Sequence, residues 1–240
     1  MRAEVSPKLS PRDLAPERSE SRLAGFNGPF PLWIRTGFWI CIVIAVAVVV
    51  RRAIALLIGP SAGAPPQLGQ LDLYFKSHAT LTWIHILCAL AFVLLLPFFF
   101  WSRTRNSAVL QRGFLLLGVL VAATAFAMNR FAVGGWLERS AVLFFDTLFL
   151  ASLVRTFLLS RRGDVVNACR WSIRATAILL GIATTRPVMG VFFATAPLTH
   201  LTPHQFFGIA FWIGFSINTV VIELWLRSLD SKRSIMAADR

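Results

Sequence analysis

Residues 170–187 read RWSIRATAILLGIATTRP, an apolar segment suited to lipid except for the arginines within it. A charged side chain costs several kcal/mol inside a bilayer, so such residues commonly pair with one another or serve a function. We therefore expect Arg174 and Arg186 to find polar partners on other helices. The remaining segments are interpreted by asking which of them supplies those partners.

Composition places the chain among membrane proteins. Of its 240 residues, 56% are hydrophobic and 15% are charged, whereas a soluble domain has about 45–50% apolar and about 25% charged residues. The net charge of +13 indicates basic loops rather than a nucleic-acid partner, because basic residues gather on the cytoplasmic side of membrane proteins. The three cysteines lack the spacing of a metal site and are expected to act as small hydrophobic residues.

The hydrophobic pattern predicts an all-α polytopic membrane protein, with a bundle of six transmembrane helices over residues 32–227. Residues 1–31 are predicted to form a disordered cytoplasmic tail without a cleaved signal peptide, and residues 228–240 form a second cytoplasmic tail. Connector 59–80 is predicted to be an external loop, partly lying on the membrane surface, and Arg51 and Arg52 are expected to snorkel to the outer interface. The predicted helices cover about residues 33–58, 81–101, 113–129, 140–160, 170–195 and 204–226.

The distribution of basic residues predicts the orientation. With the N-terminus inside, sixteen lysines and arginines fall in inner segments and five in outer ones. The positive-inside rule then predicts that both termini are cytoplasmic. We expect the protein in the cell inner membrane, with the lipid bilayer as its partner and with a membrane protein or a second copy of the chain as further candidates.

Arg174 is predicted to pair with Glu223 near the inner boundary. Arg174 follows Arg170 by four residues, and Glu223 precedes Arg227 by four, which places both about 6 Å inside the membrane. A structural ion pair that joins two helices is the favoured interpretation, and a gate or proton site is the alternative.

Four polar residues share a deeper level. Counting along each helix places His85, Asn129, Asp146 and Arg186 about 21–24 Å from the inner side of a core of about 30 Å. Taken singly, they favour structural roles: an Asp146–Arg186 salt bridge, and a hydrogen bond from His85 to a backbone carbonyl. Taken together, they predict a ligand-binding pocket open to the outer face, beside a helix kink expected at Pro187.

Recognised motifs do not name a reaction. The sequence lacks a phosphate-binding glycine loop, a Cys-x-x-Cys pair and a recognisable Ser/His/Asp spacing, so no catalytic residues are predicted. Enzyme activity stays open as a third alternative, and a chain that is not an enzyme by itself is favoured. A metal site is not expected either, since Pro203 interrupts any continuous helix between His200 and His204. The cofactor stays open between haem and quinone, although only His85 lies well inside a predicted helix.

Several short motifs between Leu73 and Arg227 resemble those of one family. They are Ile84-His85-Ile86, Gly163-Asp164, residues 170–174, Thr185-Arg186, and Asn218 with Glu223 and Trp225. This pattern is similar to the bacterial multi-pass membrane family catalogued as domain of unknown function 2306. The resemblance implies the fold and the location of a site, but the family lends no activity. Where typical members carry His-Arg pairs, this chain has Gln111-Arg112 and Ala168-Cys169.

Two hypotheses about function follow. In the first, the polar pocket in the outer leaflet binds a small amphiphile, such as a quinone or a lipid head group, and the protein is a redox or binding accessory. Arg186 would hold an anionic or carbonyl oxygen, while His85 and Asp146 complete the hydrogen bonds. In the second, the protein is a structural or assembly subunit of a larger membrane complex, and the polar groups only tie its helices together.

Overall fold

The structure, a computed structural model, describes residues 30–59, 66–100 and 107–238, and nearly all of these are helical. Six helices are long and apolar enough to cross a membrane, so the predicted all-α polytopic fold is confirmed. The predicted N-terminal tail, up to residue 29, lies outside the described residues. The helices are α1 (Leu32–Ile58), α2 (Pro66–Ser77), α3 (Ala79–Phe100), α4 (Ala108–Met128), α5 (Gly135–Arg161), α6 (Val165–Thr199) and α7 (Pro203–Ala238), with a 3₁₀ turn at Asn129–Phe131.

Local capping explains where the longest helices begin and end. The Asp164 side chain accepts a hydrogen bond from the Asn167 backbone N–H at 3.2 Å and so starts α6. His200 ends α6 in a left-handed conformation, with φ at 54°. The next helix, α7, starts at Pro203 as the Thr202-Pro203 pair indicates, because Gln205 accepts the Thr202 backbone N–H at 2.9 Å.

The spanning helices are longer than the apolar pattern predicts. The 35 residues of α6 extend about 52 Å, well beyond a hydrocarbon core of about 30 Å. The predicted tail at 228–240 likewise begins inside α7, which continues to Ala238. The predicted segments end where polar residues begin at the membrane boundary. The helices continue beyond those points, because polar residues can extend a helix as readily as apolar ones do.

Glycines bring α5, α6 and α7 close together. A Cβ placed on Gly208 would lie 2.6 Å from the Leu137 Cβ, and one on Gly181 would lie 2.7 Å from the Phe215 ring. Small residues at such crossings let backbones approach and increase dispersion contacts, which replace the hydrophobic effect inside lipid. The main core, between α1, α3, α4, α5 and α6, includes fully buried Phe92 and Phe114.

The connector between the first two spanning helices differs from the prediction. Instead of an external loop over residues 59–80, the structure has α2, on which Leu71 and Asp72 are buried while Leu73 and Tyr74 are exposed. We call the end of the bundle that holds α2, the 3₁₀ turn and the α6–α7 turn the α2 end. Which side of the membrane this end faces is not fixed by the fold, so the cytoplasmic orientation of the termini stays a prediction.

Candidate ligand-binding cavity

A cavity of about 270 Å³ lies between the helices, and its wall includes residues of α2 and of the 3₁₀ turn at the α2 end. Every spanning helix contributes to its wall, and α2 adds Tyr74 and Phe75. Most of the wall is apolar, with a limited number of polar groups, as is usual for sites that bind small molecules. The polar side chains that line it are Arg52, Tyr74, His78, Thr82, His85, Asn129, Glu138, Asp146 and Arg186.

The four residues predicted to form a pocket all line this cavity. His85 comes from α3, Asn129 from the 3₁₀ turn, Asp146 from α5 and Arg186 from α6. Four separate helical segments therefore contribute polar side chains to one space. Their role in binding a ligand stays a prediction.

The expected salt bridge between Asp146 and Arg186 is not formed among the described residues. Arg186 instead lies within electrostatic range of Glu138, and its Nη1 donates to the Met189 sulfur at 3.6 Å. Glu138 precedes Asp146 on α5 by eight residues, which is about 12 Å along the helix axis. Counting residues from the inner helix ends could not show this, because it gives the depth of a backbone position and not the direction in which a long side chain extends.

Three buried polar atoms on the cavity wall lack hydrogen-bond partners within the described part of the chain. They are the Asn129 Oδ1, the Asp146 Oδ2 and the Arg186 Nε. A buried polar atom left unsatisfied costs about 1–3 kcal/mol, and more when it belongs to a charged group. Since most such atoms in folded proteins are paired, these three leave the cavity wall with unmet hydrogen-bonding capacity.

The hydrogen bond of His85 defines which of its nitrogens can accept. Its Nδ1 lies 2.8 Å from the Thr124 hydroxyl oxygen, and not against a backbone carbonyl as the structural alternative expected. That hydroxyl lies 2.8 Å from the Leu120 carbonyl and 2.9 Å from the Val121 carbonyl, so its proton is donated there. The His85 Nδ1 therefore donates to Thr124, and in a neutral imidazole the Nε2 is left as an acceptor.

The sequence did not predict that α2 would cover one side of the cavity with Tyr74 and Phe75, an arrangement that we call the α2 roof. Asp72 is 3% exposed and accepts hydrogen bonds from the Arg52 Nη1 at 2.7 Å and the Arg51 Nη2 at 3.0 Å. The Arg52 guanidinium also lies 4.0 Å from the centre of the Phe75 ring. Arg51 and Arg52 thus hold α2 against α1, which the snorkelling prediction did not foresee. The sequence feature that could have indicated this contact is Asp72, an acidic residue 20 positions after Arg52.

Glu138 is a second residue that the sequence analysis missed. It is buried in the first turn of α5, lines the cavity, and accepts a hydrogen bond from the Gly134 backbone N–H. The predicted start of this helix, at residue 140, left Glu138 outside the membrane segment. Its carboxylate is therefore absent from the predicted partners of Arg186, although it is the acidic group that attracts Arg186 in the structure.

Near the opposite end of the bundle, α6 and α7 bring Arg174 and Glu223 together. The Arg174 Nε donates to the Glu223 Oε2 at 2.8 Å, and the Arg227 Nε donates to the Oε1 at 3.1 Å. The Trp171 ring centre lies 4.7 Å from the Arg174 guanidinium. Both oxygens of this carboxylate are bound, which is the arrangement that a structural role requires.

Comparison with known proteins gives no relative for this chain. No protein-family model matches it, and neither the curated proteins nor the solved structures contain a match.

Proposed function

We propose that this integral membrane protein binds a small amphiphile in the cavity at the α2 end. The observation that carries the proposal is the set of three unpartnered buried atoms on Asn129, Asp146 and Arg186, which lie on one largely apolar wall. A bundle held together only by structural polar pairs would satisfy these atoms internally, as Glu223 is satisfied at the other end.

The lining of the cavity supports an amphiphile rather than a polar solute. Residues such as Leu90, Val93 and Ile178 give it an apolar floor, while Arg52, Arg186 and Glu138 lie on its wall. A quinone or a lipid head group with part of its chain suits this division. The chain would then act as a binding or redox accessory, because these side chains hold and orient a ligand without an evident nucleophile–base pair.

Native mass spectrometry of the gently purified protein, combined with its absorption spectrum, tests this proposal. We expect a bound species whose mass is that of one amphiphile, and its loss in Arg186→Gln. Arg155→Gln is the matched control, since Arg155 is exposed and does not line the cavity. A protein that carries no bound species but a stable partner polypeptide would contradict the proposal and favour the assembly role. A haem absorption band would show that the cavity binds haem and not a small amphiphile, and would also contradict the proposal.

We also propose membership in the family catalogued as domain of unknown function 2306. Support comes from the position of the shared motif residues at the α6–α7 contact. Besides the Arg174–Glu223 pair, the Thr184 hydroxyl donates to the Asn218 side-chain oxygen at 2.7 Å, and the Asn218 amide donates to the Ala177 carbonyl at 3.3 Å. The structure of a typical member would test this, because the same three contacts should join its fifth and sixth spanning helices.

A further inference from the structure

The polar groups of the cavity are arranged in two levels. The Arg186 guanidinium and Glu138 lie at the α2 end, near Arg52 and the α2 roof. His85 and Asp146 belong to a second level, because Asp146 follows Glu138 by eight residues along α5. The Arg186 backbone lies close to this second level, since Thr185 packs on Gly214 and Phe145 stacks on Phe215, and the Arg186 side chain extends from there toward Glu138. One level has a hydrogen-bond donor without a partner and the other has acceptors without a partner, so the two together restrict the chemistry of the ligand.

The charged groups that surround Arg186 carry one more positive charge than negative. Arg51 and Arg52 both bind Asp72, while Glu138 already accepts the Gly134 N–H. Arg186 has Arg51 and Arg52 as repulsive neighbours and Glu138 as its attractive one. Within this group, three arginines and two carboxylates leave a net charge of +1. With the Arg186 Nε unpartnered, the group favours an anionic oxygen over a neutral one, because a charge-assisted hydrogen bond is the stronger.

The second level presents acceptors that need a donor. The Asp146 Oδ2 has no partner within the described residues, and the His85 Nε2 is left as an acceptor by the bond from Nδ1 to Thr124. A hydroxyl or an amide N–H on the ligand would satisfy this level. Beyond it the wall is apolar, with Leu90, Val93, Phe149 and Ile178.

We infer that the ligand is an acidic amphiphile, with its anionic group at Arg186, a hydroxyl or amide N–H at His85 and Asp146, and an alkyl chain beyond them. This inference rests on the proposed function and narrows its ligand class. A quinone fits less well, because it is uncharged and offers only carbonyl acceptors to a level that already has acceptors. The same acidic chemistry occurs in a lipid head group and in a free phosphate ester, so the test must separate those two sources.

Four probes test each requirement separately on the full-length protein. Dodecylglycerol phosphate carries the acid, the hydroxyl and the chain. Dodecylglycerol lacks the acid, dodecyl phosphate lacks the hydroxyl, and glycerol phosphate lacks the chain. Affinities are measured by native mass spectrometry and by the rise in the midpoint of thermal unfolding, which increases with the logarithm of the ligand concentration relative to its Kd.

We expect dodecylglycerol phosphate to bind at least about tenfold more tightly than dodecylglycerol, as a charge-assisted hydrogen bond predicts. Arg186→Gln should abolish that difference and Arg155→Gln should retain it. Asp146→Asn should reduce the advantage of dodecylglycerol phosphate over dodecyl phosphate while keeping the preference for the acid. The wild-type comparison alone tests the charge requirement if Arg186→Gln does not fold.

Other outcomes overturn the inference in distinguishable ways. If dodecylglycerol and its phosphate bind equally well, the ligand does not need an acidic group. The same conclusion follows if a neutral decyl quinone binds and Arg186→Gln leaves its affinity unchanged. Either result refutes the acidic ligand but is compatible with the proposed function. If glycerol phosphate binds as tightly as dodecylglycerol phosphate, the alkyl chain contributes nothing and the site binds a free phosphate ester. If none of the amphiphiles binds, quinone included, the proposed function itself fails.

Discussion

Asp72→Asn is expected to loosen the α2 roof by removing the negative charge that both Arg51 and Arg52 bind. The Arg52 side chain is 15% exposed and the Arg51 side chain 47%. Leaving one partner of a buried ion pair uncompensated costs about 3–5 kcal/mol, whereas an exposed pair contributes up to about 1 kcal/mol. Because asparagine can still accept one hydrogen bond, we expect a loss near the lower limit, of about 3 kcal/mol.

The assay is thermal unfolding of the purified protein, followed by tryptophan fluorescence. A loss of about 3 kcal/mol corresponds to roughly 6–12 °C in the midpoint for a domain of this size. The structure also predicts an order: Arg52→Gln should lower the midpoint more than Arg51→Gln, since only Arg52 is largely buried and stacked on Phe75. A midpoint for Asp72→Asn within about 1 °C of wild type, or equal effects of the two arginine changes, would refute this description of the roof.

Three further predictions follow from the packing and the charge distribution. The losses of stability from Arg174→Ala and from Glu223→Ala should sum to more than the loss in the double mutant, because both single changes remove the same hydrogen bond and Glu223→Ala also leaves Arg174 without its carboxylate; additive losses in a double-mutant cycle would contradict this. Gly208→Ala should lower the free energy of unfolding by about 1–3 kcal/mol, because its Cβ would meet Leu137 at 2.6 Å. The control, Gly190→Ala, has no atom within 4 Å of the new Cβ and should leave the unfolding midpoint nearly unchanged. Reporter fusions in the turns after α5 and after α6 should report the cytoplasm and the outside, respectively, and the reverse pattern would exclude the predicted orientation.

Much of the fold could be predicted because hydrophobicity and length determine which segments cross a bilayer. The spans around Arg186 and His85 were recognised for this reason, and so was the start of α7 at Pro203. The helix in the connector, α2, was not predicted, because the composition before residue 71 is rich in Gly and Pro and is typical of a loop. The buried face of α2 includes Asp72. Its stability depends on two arginines in another helix, and local sequence cannot show such a pairing.

The location of the site was more predictable than its contacts. His85, Asn129, Asp146 and Arg186 line one cavity, as their similar depths suggested. Depth alone, however, could not distinguish which carboxylate lies nearest to Arg186, because it ignores how far each helix extends past the membrane. Glu138 lies in an extra turn at the start of α5, so the pairing depended on a helix boundary that the sequence did not define.

An experimental density map of the protein, purified without added ligand, tests the proposed binding site most directly. The account predicts density for one elongated molecule in the cavity, with polar atoms within about 3 Å of the Arg186 Nε and the Asp146 Oδ2. A cavity in which Arg186 and Asp146 bind each other or other protein groups, without a molecule between the helices, would contradict it.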